Sequence, residues 1–148
     1  MLTAKFPARY DHLRAISAFV MDAIKDSPFE SHQRYAIDLA VDEACSNVID
    51  HAYAGYDQGE IRILLDLNDT GLRITIQDYG SPFDPDCVAE PDLTSPLETR
   101  CERGLGIYLI REIMDEASWD FSTPGVNQLT LVKYFTPSLN TENNDRPE

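Results

Sequence analysis

The sequence predicts a two-layer α/β sandwich, with helices on one face of a mixed, mostly antiparallel sheet. Three observations carry this. Apolar residues recur at helical spacing over residues 10–26 and 31–53, and a further helix is expected from about Leu105 to Asp115. Two alternating runs, EIRILLDL at 60–67 and LRITIQD at 72–78, are joined by the short link NDTG and read as a β-hairpin. A second strand pair, near 117–122 and 128–135 and separated by Pro124-Gly125, closes the domain.

The elements follow in order. A short strand around Ala4–Phe6 begins the fold. The first helix carries Leu13, Ile16, Phe19, Val20 and Ile24 at helical spacing. In the second and longer helix, Ile37, Val41, Ala44, Val48 and Ala52 fall on one narrow stripe. AGYDQG then makes a turn with two glycines. In the hairpin, Ile61, Ile63, Leu65 and Leu67 lie on one side, and Leu72, Ile74 and Ile76 share one parity. Residues 79–103 hold prolines 82, 85, 91 and 96 and show no sustained period. A segment this long without structure usually serves function. In the last helix Ile110, Ile113 and Met114 are expected to face the core. The tail PSLNTENNDRPE, residues 137–148, is polar and is expected to be disordered, which leaves residues 1–136 as one domain.

Charge narrows the partners. Twelve basic against 26 acidic residues give a net charge of −14, which argues against direct binding to nucleic acid or to anionic membranes. A basic protein partner and a small phosphorylated ligand in a locally favourable pocket stay open. The three cysteines, 45, 87 and 101, form no CxxC pair, so reduced thiols are expected rather than a disulfide framework or a zinc site. The segment MLTAKFPARYDH lacks the apolar stretch of a secretory signal, and no apolar run approaches bilayer length. A cytoplasmic setting is the expectation.

Three polar constellations interrupt the apolar pattern. Glu43, Asn47 and His51 form an i, i+4 row beside the buried stripe of the second helix. A carboxylate and an amide oxygen one turn apart suit a hard cation such as Mg²⁺. The carboxylate could instead orient or deprotonate an attacking hydroxyl, and the bland alternative is a solvated helix edge. In QDYGSPFDP, Asp78 shares the parity of the core residues, so it points inward at a strand end. A lone buried carboxylate is costly without a donor, and a ligand amino group would supply one. Alternatively, Asp78 caps its own turn. In ERGLGIYLIREIMDE, Gly104 and Gly106 open a helix whose free N–H groups would attract phosphate; a plain loop-to-helix join is the alternative. Together the three fit one ligand, a nucleotide. Its base would lie near Asp78, a metal near Asn47, and its phosphates near Gly104 and Gly106, with the proline-rich loop as a lid.

In this order, LAVDEACSNVIDHAY, QDYGSPFDP, RGLGIYLIREIMDE and NQLTLVKYF resemble the N box, the two glycine boxes and the closing strand of the GHKL ATPase superfamily, with its Bergerat fold. The nearest likeness is to the anti-sigma regulatory factors that act as serine/threonine kinases. It covers roughly residues 4–135, and the ordered set is far more specific than any one box. The resemblance implies ATP and Mg²⁺ as cofactors and a role for each matching position. Glu43 is the implied catalytic base or water-orienting group. Asn47 binds Mg²⁺. Asp78 accepts the adenine amino proton with Thr130 in support, and Gly80 gives the base room. Gly104 and Gly106 bind phosphate, and Arg100 and Arg103 in the lid are read either as phosphate contacts or as solvated surface. His51 is read as structural. The implied partners are a sigma factor and an anti-anti-sigma protein of the STAS-like kind, and a homodimer is favoured if the first helix exposes an apolar face. One departure stands out: Asp78-Tyr79-Gly80 continues as Ser81-Pro82, where many relatives have DxGxG. A module that binds nucleotide and switches a partner without phosphoryl transfer is the other reading of the same residues.

Overall fold

Alternation along the sequence becomes register in the sheet. The computed structural model describes residues 1–52, 59–82 and 104–136. Its strands are β1 (Leu2–Pro7), β2 (Glu60–Leu67), β3 (Gly71–Asp78), β4 (Glu116–Asp120) and β5 (Asn127–Tyr134). They form one five-stranded sheet in the order β1-β2-β3-β5-β4. Every pairing among them is antiparallel, the limiting case of the mostly antiparallel sheet expected. The β2–β3 hairpin pairs Ile63 with Ile76 and Leu65 with Ile74, so the apolar parity of both strands lands on one face. Asn68 holds the turn through its side-chain oxygen, which accepts from the Thr70 and Gly71 N–H groups. Leu67, expected on the apolar side, is 42% exposed, because it sits at the hairpin turn beyond the last buried pair.

The helices are α1 (Leu13–Ile24), α2 (Ser31–Asn47) and α3 (Gly104–Ile113). A short helical turn, Tyr10–His12, leads into α1. Ser27 Oγ donates to the Ile24 carbonyl at 2.6 Å and closes α1 at its C-terminal end. The α2 start is set by Gln33. Its Oε1 accepts from the Glu30 N–H at 3.0 Å, and its Nε2 donates to the Tyr134 carbonyl at 3.0 Å. One side chain thus caps the helix and fastens it to the end of β5. At its other end α2 loosens into a π-helical turn, Val48–Ala52, where the sequence pattern predicts an unbroken helix to 53.

The core lies between the helices and the inner face of the sheet. Ile16, Val20 and Ile24 enter it from α1, Ile37, Val41 and Ala44 from α2, and Ile110 from α3, against Ile61, Ile63, Ile74, Ile76 and Leu131. Burying one such side chain is worth about 1.5–3 kcal/mol. The exposed positions of α1 are Arg14, Ala15, Ala18 and Asp22. No large apolar side chain of α1 is exposed, so the feature that would favour a homodimer through this helix is absent from it.

Residues 83–103, most of the expected lid and including Arg100 and Arg103, lie outside the described residues. So do 53–58 and the tail 137–148, with the expectations made for them.

Candidate active site

A cleft opens where the C-terminal end of α2 meets the ends of β3 and β5. Its empty space is about 470 Å³, the open mouth included. This is within the range that takes a small ligand. Ile76 and Leu129 from the sheet, Ala44 of α2 and Val48 of the π-helical turn line it, and Asp78, Asn47 and Asn127 supply polar groups.

At the sheet end, Asp78 is buried, 6% exposed, as its parity with Ile74 and Ile76 requires. Two donors meet its Oδ1: Asn127 Nδ2 at 2.7 Å and the Gly80 N–H at 3.0 Å. The second bond is the Asx cap considered from sequence, so Asp78 both points inward and holds its own turn. Asn127 Nδ2 also donates to the Gly80 carbonyl at 3.0 Å. Sheet register puts Asn127 directly opposite Asp78.

Gly80 is where the turn passes closest to α2. A Cβ built on it would lie 2.2 Å from the Ala52 carbonyl oxygen, inside any allowed contact. The Ser81 N–H donates to that same carbonyl at 2.8 Å. The space spared by Gly80 is therefore filled by the end of the π-helical turn, which corrects the expectation that this glycine makes room for a base.

The helix end gathers the other residues. Glu43 and Asn47 are half-buried, one turn apart on α2, as their place beside the apolar stripe predicts. A Cβ built on Gly106 would lie 2.9 Å from Glu43 Oε1, 3.6 Å from Asn47 Nδ2 and 3.7 Å from Asn47 Oδ1. The first turn of α3, which begins at Gly104, thus lies directly over the carboxylate and the amide. His51 is half-buried in the π-helical turn.

Known proteins match this chain in sequence and in fold. The family described as "histidine kinase-like ATPase domain" matches residues 6–133. A serine-protein kinase RsbW of Bacillus cereus is 33% identical over 116 residues, covering 76% of this chain and 72% of its own length. The chain belongs to this family. Membership of an ATPase-domain family makes ATP the nucleotide it uses. Solved structures repeat the fold. The RsbU and RsbW domains of a Mycobacterium tuberculosis protein superpose with a TM-score of 0.60 at 15% identity over 93% of this chain, which spans 34% of that larger chain. The SiaB-SiaC complex of Pseudomonas aeruginosa gives 0.57 at 15% identity, covering 90% of this chain and 89% of that one.

Within this family frame, one expected site residue falls elsewhere. Thr130 pairs across the sheet with Thr75 on β3 and Ser118 on β4, both of outer-face parity. Strand alternation places Leu129 and Leu131 inward and Thr130 outward, so it cannot support Asp78. Asn127 takes that position. The alternation in NQLTLVKYF carried the signal, because Asn127 shares the parity of Leu129 and Leu131 and Thr130 does not. Cys45, beneath the cleft on α2, is fully buried, and its thiol is pushed up to about 12, first by burial and then by the nearby Asp42 and Asp78 charges. That suits a packing residue rather than a nucleophile.

Proposed function

We propose that the chain is an ATP-dependent serine/threonine protein kinase that also acts as an anti-sigma factor. It transfers the γ-phosphoryl group of ATP to a Ser or Thr hydroxyl of an anti-anti-sigma protein of the STAS-like kind. In the alternate state it sequesters a sigma factor. The observation that carries this reading is the meeting of Glu43, Asn47 and Gly106, with Asn47 lining the same cleft as buried Asp78. The 33% identity to serine-protein kinase RsbW supports the same conclusion.

Each residue has a task. Asp78, fixed by Asn127 and Gly80, accepts the amino group of the base. Ile76, Leu129, Ala44 and Val48 exclude water around it. The start of α3 presents its glycine backbone N–H groups to the phosphates. Glu43 takes the proton of the attacking hydroxyl or orients it, and the transfer is otherwise a matter of position and charge.

The donor set also fits Mg²⁺. Among the described residues no three His, Cys, Asp or Glu side chains converge on a metal position. An oxygen donor such as Asn47 Oδ1 beside phosphate is the arrangement Mg²⁺ takes when it keeps water and phosphate in its shell. Asn47 would hold the ion, whose charge offsets that of the phosphates. No described helix is long and apolar enough to cross a membrane, and a cytoplasmic setting belongs to the proposal. So does a basic docking surface on the sigma factor, as the net charge of −14 suggests; affinity for it should then fall with rising salt.

The test is phosphotransfer from γ-labelled ATP to the antagonist, with wild type and Glu43→Ala. The variant should lose transfer by about 10²–10⁴-fold while keeping its nucleotide affinity. Equal transfer rates would remove Glu43 from the mechanism. Bound nucleotide with no label on the antagonist, even for wild type, would leave a switching module in place of a kinase.

A further inference from the structure

The cleft has a wall that the nucleotide reading does not use. Trp119 and Phe121 line it from β4 and the residues just after, beside Asn127 and Leu129. Trp119 pairs directly with Leu129 of β5, so alternation along β4 sends its indole to the inner face, toward the cleft. Above it, Arg111 of α3 sets its guanidinium 5.0 Å from the ring centroid. Both Trp119 and Phe121 are half-buried, so part of each ring is accessible from the cleft.

We infer that Trp119 is a binding residue of the base subsite, offering its indole as the surface on which a purine ring lies, and that Arg111 is its positioning residue. The inference rests on the nucleotide reading and adds to it the surface that grips the base by shape. Asp78 and Trp119 divide the recognition. Asp78 reads the amino group at the edge of the base, because a buried carboxylate discriminates by hydrogen bonding. Trp119 offers a ring surface, and base–aromatic contact tolerates any base because every base has a π-face. Arg111 holds one side of the indole by a cation–π contact, which fixes the ring before a ligand arrives. Because α3 also carries Gly104 and Gly106, the same helix that meets the phosphates sets the angle of the aromatic wall.

Trp119 is the single tryptophan of the chain, so its emission reports on this wall alone. The experiment titrates the full-length protein with Mg²⁺-ATP and with Mg²⁺-ITP, which lacks the amino group, following tryptophan emission and calorimetric heat in parallel. Emission should change with the calorimetric midpoint for both nucleotides. Trp119→Leu should weaken both by the same factor, about tenfold, whereas Asp78→Asn should weaken ATP far more than ITP. Trp119→Phe should restore affinity to within about threefold of wild type. Arg111→Met should shift the emission of the free protein and weaken both nucleotides by a smaller common factor. Unchanged emission at calorimetric saturation overturns the inference, and that measurement needs only the wild-type protein should Trp119→Leu not fold. Wild-type affinity in a folded Trp119→Leu variant overturns it too. Absence of binding heat for either nucleotide overturns the kinase reading itself, an outcome separable from the other two.

Discussion

The two ends of the cleft are built by different means. At the Asp78 end, proposed for the base, Asp78 and Asn127 are buried to 6% and 9% exposure, face each other in register, and are joined to each other by one hydrogen bond and to Gly80 by two. At the Glu43 end, proposed for the phosphates, Glu43 and Asn47 are half-buried on the last turns of a helix, under the backbone of Gly106. A sheet fixes its residues through many long-range pairings at once. Two helix ends bring theirs together with side chains that keep some freedom. On the function proposed above, the difference means that the base subsite is formed before ligand arrives, while the phosphate subsite is completed by what binds there.

Two glycines offer the sharpest way to break this contrast. Gly80→Ala sets a Cβ against the Ala52 carbonyl at 2.2 Å, a backbone atom that cannot yield without losing the Ser81 bond. It should cost about 3 kcal/mol of stability and lower the melting temperature by roughly 10 °C. Gly106→Ala meets Glu43 Oε1 at 2.9 Å, the far end of a flexible side chain. Stability should hold to within about 1 kcal/mol, while phosphotransfer falls because Glu43 is pushed aside. Thermal melts of both variants check the pair, and equal losses would erase the distinction between the ends.

Asp78→Asn comes next. Removing the acceptor charge from a buried, hydrogen-bonded position should weaken ATP about 100-fold by calorimetry. A change under threefold would mean that the base does not meet Asp78.

A smaller effect tests how closed the base end is. The Cys45 thiol is raised to about 12 in the folded chain and ionises at its ordinary value near 9 when unfolded. The folded state then holds the extra proton between these two values. Stability from this group is complete below pH 9 and should fall by about 1.4 kcal/mol per pH unit from there toward 12. Denaturant melts of wild type against Cys45→Ala across that window isolate the slope. A thiol reagent should react with Cys45 only as fast as the chain unfolds.

The smallest expected effect is the most pointed. Thr130→Val should leave ATP affinity within about twofold, since Thr130 faces away from the cleft beside Thr75 and Ser118. A loss comparable to that of Asp78→Asn would restore Thr130 to the site and overturn the strand parity.

Much of this was legible in local pattern. The stripe of α2, the alternation of β2 and β3, and the inward parity of Asp78 are periodicities that a linear sequence carries. So is the row of Glu43 and Asn47 beside the stripe, because helix geometry alone sets which residues are neighbours. Legibility failed where an outcome depends on which segments meet. Parity along β5 marks Asn127 and not Thr130 as inward, but that Asn127 meets Asp78 is fixed by register across 49 residues of chain. The close packing of Gly80 against Ala52 is not legible either, because Ala52 belongs to a turn that no local signal announces.

By itself, then, the sequence determined the elements, the faces they bury and the chemical types available to a nucleotide, since each of these follows from spacing along one element. Only the tertiary structure decided which carboxylate is clamped by which amide, what fills the space beside each glycine, and that an indole from the edge strand closes the cleft. The physical reason is that such contacts join residues distant in sequence, and their geometry exists only once the helices have packed on the sheet.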